Sequence, residues 1–399
     1  MDDKSKHDAS GQMLGYVFQA YASLLLLLSS TDAEAMLCLE KFDDVSFHDD
    51  KDILALIQTK HQVNQPGRLN DTSVDLWRTL WNWSEAIDND TTVAVSTNFI
   101  IITTAVAPEG SAASYLKDVS RNCDKALELL ECAAKRRSVQ SNEKYYEAFL
   151  LMKSRVRKQL VDNIYIYDSS DHISSIEKRI LPYIRNSAPP DCVDRVYERA
   201  IGWWFKYVIL CLCSDEPLFI SCSQLQTAIA DIACEYRSDS LPIDVDPSYE
   251  PTDEELDDLL GEKRVFIEQL KLVSVSDLRL KRCIRDYYNA YQQRSKWVRE
   301  QLLLVDELTK YEARLVDEWA RLYLIMQEEL GDNPDDQRKI AGGRSLFNKI
   351  EDLGIPIRER LSEPFVMRGT YHELANNLKV GWHTDFKVQL QHLLWGEVK

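Results

Sequence analysis

The spacing of apolar positions changes period several times along the first half of the chain. Residues 11–30 (GQMLGYVFQAYASLLLLLSS) place Met13, Val17, Tyr21 and Leu24 at helical intervals and predict a helix with those side chains inward. The runs AMLCLEKFDDVSF and ILALIQTKHQV shorten to strand length, and the polar HDDKD between them reads as the turn of a hairpin. SVDLWRTLWNWSEAI returns to helical spacing with Leu76, Leu80, Trp83 and Ile87 on one face, and the β-branched NFIIITTAVA predicts a buried strand. From Ala112 to about Val161 the pattern is helical and charged, and it closes on NIYIYDSS, a short alternating strand.

Two prolines in NSAPPD (186–191) interrupt this pattern and predict a boundary that divides the chain into residues 1–187 and 188–399. The first part is α/β, a small mixed sheet flanked by helices; the second is mainly α-helical. CVDRVYERAIGWWFKYVILCLC and SQLQTAIADIACEY each predict one helix. The acidic stretch 244–262 connects onward into a helix, where Thr252 and Glu255 form a capping box with acids in the first turn. From Ser276 to Leu330 no Pro or Gly occurs, and Val298, Leu302, Val305, Leu308, Leu315, Trp319, Leu322 and Met326 recur at helical intervals. Unbroken, this helix would run roughly 80 Å. Such a length predicts a helical hairpin or a coiled-coil-like contact with a partner, with two ordinary core helices as the simpler alternative.

A chain of 399 residues, 45% hydrophobic and 10% aromatic, is long enough for two or three domains and apolar enough to give each a core. The formal net charge of −17 argues against a surface that grips nucleic acid everywhere, so any DNA contact must be local or shared with a partner. His7, His48, His61, His172, His372, His383 and His392 include no pair at helical metal-site spacing. The nine Cys lack zinc spacing and read as reduced thiols. The apolar run Leu24 to Leu28 is far shorter than the roughly 20 residues of a membrane helix, and the mixed-charge opening is unlike a signal peptide. These features predict a soluble cytoplasmic protein without a membrane span. No phosphate-binding P-loop motif is present.

Metal-assisted cutting of a phosphodiester needs an acidic ligand, a second ligand on a neighbouring strand, and a cation beside the water or the scissile phosphate. On a hairpin, a carboxylate at the start of one strand can face alternate residues near the end of the next. Asp44, followed by Gln58 and Lys60, meets that requirement. Asp44 would be the principal Mg²⁺ ligand, with Mn²⁺ as a substitute. Gln58 would be a neutral oxygen ligand, Lys60 would stabilise developing charge, and Thr59, pointing the other way, would offer its main-chain carbonyl. Glu40 or Asp43 would complete the acidic cluster, and Gln19 reaches it from the first helix. A one-residue slip of alternation would exchange Asp43 and Asp44. A Gln in place of a carboxylate lowers the charge of the site and predicts weak metal binding without DNA. The same residues on a solvated hairpin end would be chemically silent.

The ordered segments GYVFQAY, LLLLL, LEKFDDVSF, LIQTKHQ, DLWRTLWNW and FIIITTA resemble the double-stranded DNA endonuclease domain of the PD-(D/E)XK superfamily, in its Q-x-K version. YERAIGWWF, LPID, FIEQL, the long stretch from DYYNAYQQRSKW to DEWARL, and VGWHTDF resemble the C-terminal domain of effectors in ABC-three-component systems. Together the two halves resemble the nuclease subunit of Lamassu-type anti-phage and anti-plasmid systems. The resemblance implies a restriction-endonuclease-like N-terminal domain and a C-terminal domain for partner docking. It further implies an effector silenced by an SMC-like ABC ATPase and a third small subunit, which cuts DNA as a homo-oligomer once freed. It assigns the site to Asp44, Gln58 and Lys60, with Glu40 and Gln19. A non-catalytic helical adaptor is the alternative.

Trp77, Trp81 and Trp83 read as core residues of their helix rather than a base-stacking platform. Arg136 and Arg137, with Lys153, Arg155, Arg157 and Lys158, are the best local basic patches, either for a DNA backbone or as a solvated helix face. His61, beside Lys60, reads as structural or as a phosphate contact.

Overall fold

The computed structural model describes residues 9–41, 43–49, 52–60, 67–89, 97–169, 173–246 and 264–395. It divides into two compact units, Met1–Cys234 and Glu235–Lys399. His61, Thr252 and Glu255, and most of the acidic connector lie outside the described residues.

In the first unit, α1 (Ala9–Ser29) leads into β1 (Met36–Leu39), β2 (Val45–Asp49) and β3 (Asp52–Lys60), which pair antiparallel in succession. Helix α2 (Val74–Asn89) crosses over to β4 (Asn98–Thr103), which lies parallel to β3. Helices α3 (Cys123–Arg136), α4 (Glu143–Leu151) and α5 (Ser154–Asp162) form the next crossover, to the parallel strand β5 (Ile164–Tyr167). Parallel pairs need such crossovers, whereas β2 and β3 need only a tight turn. Helices α6 (Ile173–Arg185) and α7 (Val193–Cys213) precede β6 (Phe219–Ser221), which pairs antiparallel with β1, and α8 (Cys222–Glu235). Among the described residues the sheet order is β5-β4-β3-β2-β1-β6, a mixed sheet flanked by helices.

The core explains the alternation. Ile53, Leu56, Phe99, Ile101, Ile164 and Ile166 from the strands meet Leu76, Trp77, Leu80 and Trp83 of α2 and the apolar faces of α3 to α5. Central β3 is buried over nearly its whole second half, as expected for a strand covered on both faces. Helix α1 packs on β3, α6 and α7. Its inward side differs from the predicted one: Phe18, Leu24, Leu25, Leu27 and Leu28 are buried, Val17 and Tyr21 are half-buried, and Met13 is 69% exposed. A helix enclosed by several neighbours buries a wider arc than a single stripe, and its first turn projects beyond them.

The predicted boundary at 187/188 also differs from the observed division. Helix α7 packs on α1 and β1, the indole of Trp204 donates to the Ala20 carbonyl at 2.7 Å, and β6 completes the sheet edge. The prolines mark a turn inside the first unit.

The second unit is helical, with helices at Val265–Leu272, Asp277–Arg299, Glu307–Leu330, Asp336–Glu351, Pro364–Asn376 and Phe386–Leu390. The long uninterrupted pattern resolves into two core helices, the simpler alternative. Gln301 and Asp306 take left-handed backbone angles between them, at φ 55° and 61°. Arg358 fixes that turn by donating to both carboxylate oxygens of Glu307, at 2.8 and 2.9 Å, and to the Leu302 carbonyl at 2.8 Å. Buried amides and indoles tie the unit together. Gln293 accepts from the Asp244 main chain and Gln269 donates to the Ala375 carbonyl. Trp297 donates to Pro242 and Trp319 to Gly381. At Gly369 a Cβ would collide with the Asp286 carbonyl, so helices Asp277–Arg299 and Pro364–Asn376 require a glycine there. No helix among the described residues is long and apolar enough to cross a membrane.

Candidate functional site

The β2–β3 register creates the cluster. Val45 lies opposite Ile57, so Asp44, the residue before β2, meets Gln58 near the end of β3. The carboxylate of Asp44 accepts from the Gln58 amide at 2.9 Å on Oδ1 and from the Thr59 main-chain N–H at 2.7 Å on Oδ2. The Thr59 hydroxyl reaches the same Oδ2 at 3.2 Å. Lys60 Nζ donates to Gln58 Oε1 at 2.6 Å. The period-two expectation for Gln58 and Lys60 therefore holds. Thr59 meets Asp44 through its N–H and hydroxyl, because Asp44 lies before the strand and curls over its end.

The other predicted members converge as well. Glu40 adopts a left-handed backbone (φ 57°) after β1, and its N–H donates to the Asp44 carbonyl at 3.2 Å, closing the β1–β2 connection. For a side chain with a Cβ this conformation is uncommon, and it requires support from its surroundings. Gln19 of α1 provides that support, donating to Glu40 Oε1 at 2.6 Å and to the Asp44 carbonyl at 2.8 Å. Asp43 accepts from the Gln58 amide, from the Asp44 N–H at 3.0 Å, and from the Trp83 indole at 2.6 Å.

Three carboxylates thus share a partly buried site with one ammonium. Burial lifts Glu40 above the usual carboxylate range against the opposing hydrogen bond from Gln19, and the Asp44 charge adds to the rise. Burial pushes Asp43 up to about 6, with the Trp83 hydrogen bond opposing and the neighbouring Asp44 charge reinforcing. The donor set is wholly oxygen, the chemistry that a hard divalent cation prefers, and its excess of negative charge is what such an ion would relieve. In kind, these residues fit Mg²⁺ or Mn²⁺. They are not drawn into a ready cage: among the described residues no three His, Cys, Asp or Glu side chains are grouped around a cation position.

The basic candidates separate. Arg157 donates to the Phe149 and Leu150 carbonyls at 3.1 Å and pairs with Glu131 at 2.8 Å, so it caps α4 from within the fold. Arg137 pairs with Glu147, and Lys158 with Asp124 and Asp162. Arg136, Lys153 and Arg155 are exposed. Trp77 and Trp83 are buried core residues of α2, as predicted, and Trp81 is half-buried. The contact of Trp83 with Asp43 was not anticipated. Its signal lay in chemistry, since a buried indole N–H must find an acceptor.

No curated protein matches the chain. Residues 266–390 match C-terminal domain 7 of the ABC-three component (ABC-3C) systems. The match spans nearly all the described helices of the second unit and includes Gln269, Gln293, Trp297, Trp319 and Gly369, residues that tie its core together. This part of the chain is thus similar to a C-terminal domain found in ABC-three-component systems.

Proposed function

We propose that the first unit is a metal-dependent double-stranded DNA endonuclease with a restriction-endonuclease-like core. The chain would be the effector of a Lamassu-type defence complex, with an SMC-like ABC ATPase and a third small subunit as partners and a homo-oligomer as its active form. The observation that carries this reading is the convergence of Asp44, Gln58 and Lys60 at one end of adjacent antiparallel strands. Asp44 and Gln58, with Glu40 and the Thr59 main chain, would hold the cation, which when bound supplies Lewis-acid polarisation of the scissile phosphate. Lys60 places a positive charge where negative charge develops on the phosphate oxygens. Gln19, bonded to the Glu40 carboxylate and the Asp44 carbonyl, would keep both residues aimed at the site. Arg136, Lys153 and Arg155, which are exposed, would hold a DNA backbone.

One observation favours a second reading, a non-catalytic adaptor. Both carboxylate oxygens of Asp44 already have donors within the chain, so the cluster is also a self-sufficient strand cap. The experiment that separates the two is plasmid cleavage by the purified protein with Mg²⁺ or Mn²⁺, wild type against Lys60→Ala. A nuclease loses cutting with the substitution; an adaptor shows none in either form and tolerates the change in cells.

A further inference from the structure

Asp43 and Asp44 are adjacent and share the Gln58 amide on their Oδ1 oxygens, yet their remaining hydrogen-bond donors differ. Asp43 is tied on both oxygens by groups that cannot easily move: the Asp44 main-chain N–H on Oδ1 at 3.0 Å, and the Trp83 indole on Oδ2 at 2.6 Å. Asp44 has a main-chain donor on Oδ2, Thr59 N–H, but its Oδ1 meets the terminal amide of Gln58, which a side-chain rotation releases. Trp83 itself is rigidly held. It is 1% exposed, sits in the middle of α2, and packs against Phe99 of β4 with ring centroids 5.1 Å apart.

We propose that Trp83 is a positioning residue for the cation site: its indole N–H pins Asp43 in place and so leaves Asp44 as the carboxylate that faces the cation. The inference rests on the nuclease reading above and deepens it, because it says which of two neighbouring carboxylates does which task and what decides between them. Without the indole, Asp43 Oδ2 loses a charge-assisted hydrogen bond in a buried place. Its carboxylate, which already shares the Gln58 amide with Asp44, is then free to turn and compete with Asp44 for the ion.

The test is Mn²⁺ binding by the full chain, read as loss of the free-ion electron paramagnetic resonance signal. The site component is the part abolished by Asp44→Ala. Trp83→Phe keeps an aromatic ring against Phe99 and deletes the donor; it should weaken that component about tenfold, as loss of a group that orients a metal ligand typically does. Trp77→Phe deletes the other buried indole donor of α2, which serves the Asp71 carbonyl at 2.7 Å, and should leave Mn²⁺ affinity unchanged. In an Asp43→Ala background the Trp83→Phe effect should vanish. A second measurement needs no substitution. The Trp83 indole N–H resonance of the ¹⁵N-tryptophan-labelled wild-type chain should keep its hydrogen-bonded shift at saturating Mg²⁺, because the anchor stays in place. The positioning role is overturned by unchanged affinity in Trp83→Phe, by equal weakening in Trp77→Phe, or by release of the indole when Mg²⁺ binds. Absence of any Asp44-dependent Mn²⁺ binding in the wild type overturns the nuclease reading beneath it, and this inference with it.

Discussion

Lys60 is only partly buried and its hydrogen bond goes to Gln58, so its removal exposes no core and should leave stability nearly unchanged. Lys60→Ala should lower DNA cleavage by about a hundredfold or more, the scale of losing one preorganised charge-stabilising group, with an unaltered melting temperature in a parallel scan. His372 makes a different kind of prediction. It is fully buried against Phe266 and Phe347, and neither ring nitrogen has a hydrogen-bond partner among the described residues. Burial holds its pKa down at about 3, and the charges of Arg279 and Arg368 add to the effect, against an ordinary value of 6.5. Between those values the folded state binds fewer protons than the unfolded chain. Its contribution to stability is therefore complete above a pH of about 6.5 and is lost as pH falls toward about 3. Urea midpoints at neutral pH and at pH of about 5 should differ more in the wild type than in His372→Leu; equal differences would contradict this. At this scale Asp44, Gln58 and Lys60 were legible because side chains on a strand alternate. The Trp83–Asp43 bond was not, because it joins a helix and a turn forty residues apart.

Among elements, strands and helices with a clear period were legible, and α2 was read correctly down to its buried face. The break between Arg299 and Glu307 was not, because no Pro or Gly marks it. The chain turns there through left-handed Gln301 and Asp306, and the partner that stabilises the turn, Arg358, lies far along the sequence. The Arg358–Glu307 pair is largely buried, with side chains 11% and 15% exposed. Removing one member strands the other, so Arg358→Ala should destabilise the second unit by about 3 kcal/mol, measurable by denaturant unfolding. A loss below about 1 kcal/mol would mean that the turn holds without it. The inward side of α1 was misjudged for a related reason. Five consecutive leucines leave the angular position open, and contacts with β3, α6 and α7 decide it.

For the whole molecule, a boundary drawn at prolines separates α7 and β6 from the sheet they complete. A fragment ending at residue 234 should fold by circular dichroism and show a cooperative melt. One ending at 187 lacks the acceptor-donor pair of Ala20 and Trp204 and the β6 edge, and should aggregate. The net charge of −17 further predicts that the isolated chain binds duplex DNA poorly at physiological salt, and tight binding there would contradict the view that DNA contact is local or shared. The similarity of residues 266–390 to C-terminal domain 7 of the ABC-three component systems fits the proposed reading, in which partner subunits restrain the chain. The most direct test is plasmid cleavage by the full chain with Mg²⁺ or Mn²⁺, with and without those partner subunits, comparing wild type and Lys60→Ala. The account predicts metal-dependent cutting by the wild type and none by the variant. Intact plasmid under every condition, or equal cutting by both proteins, would contradict it.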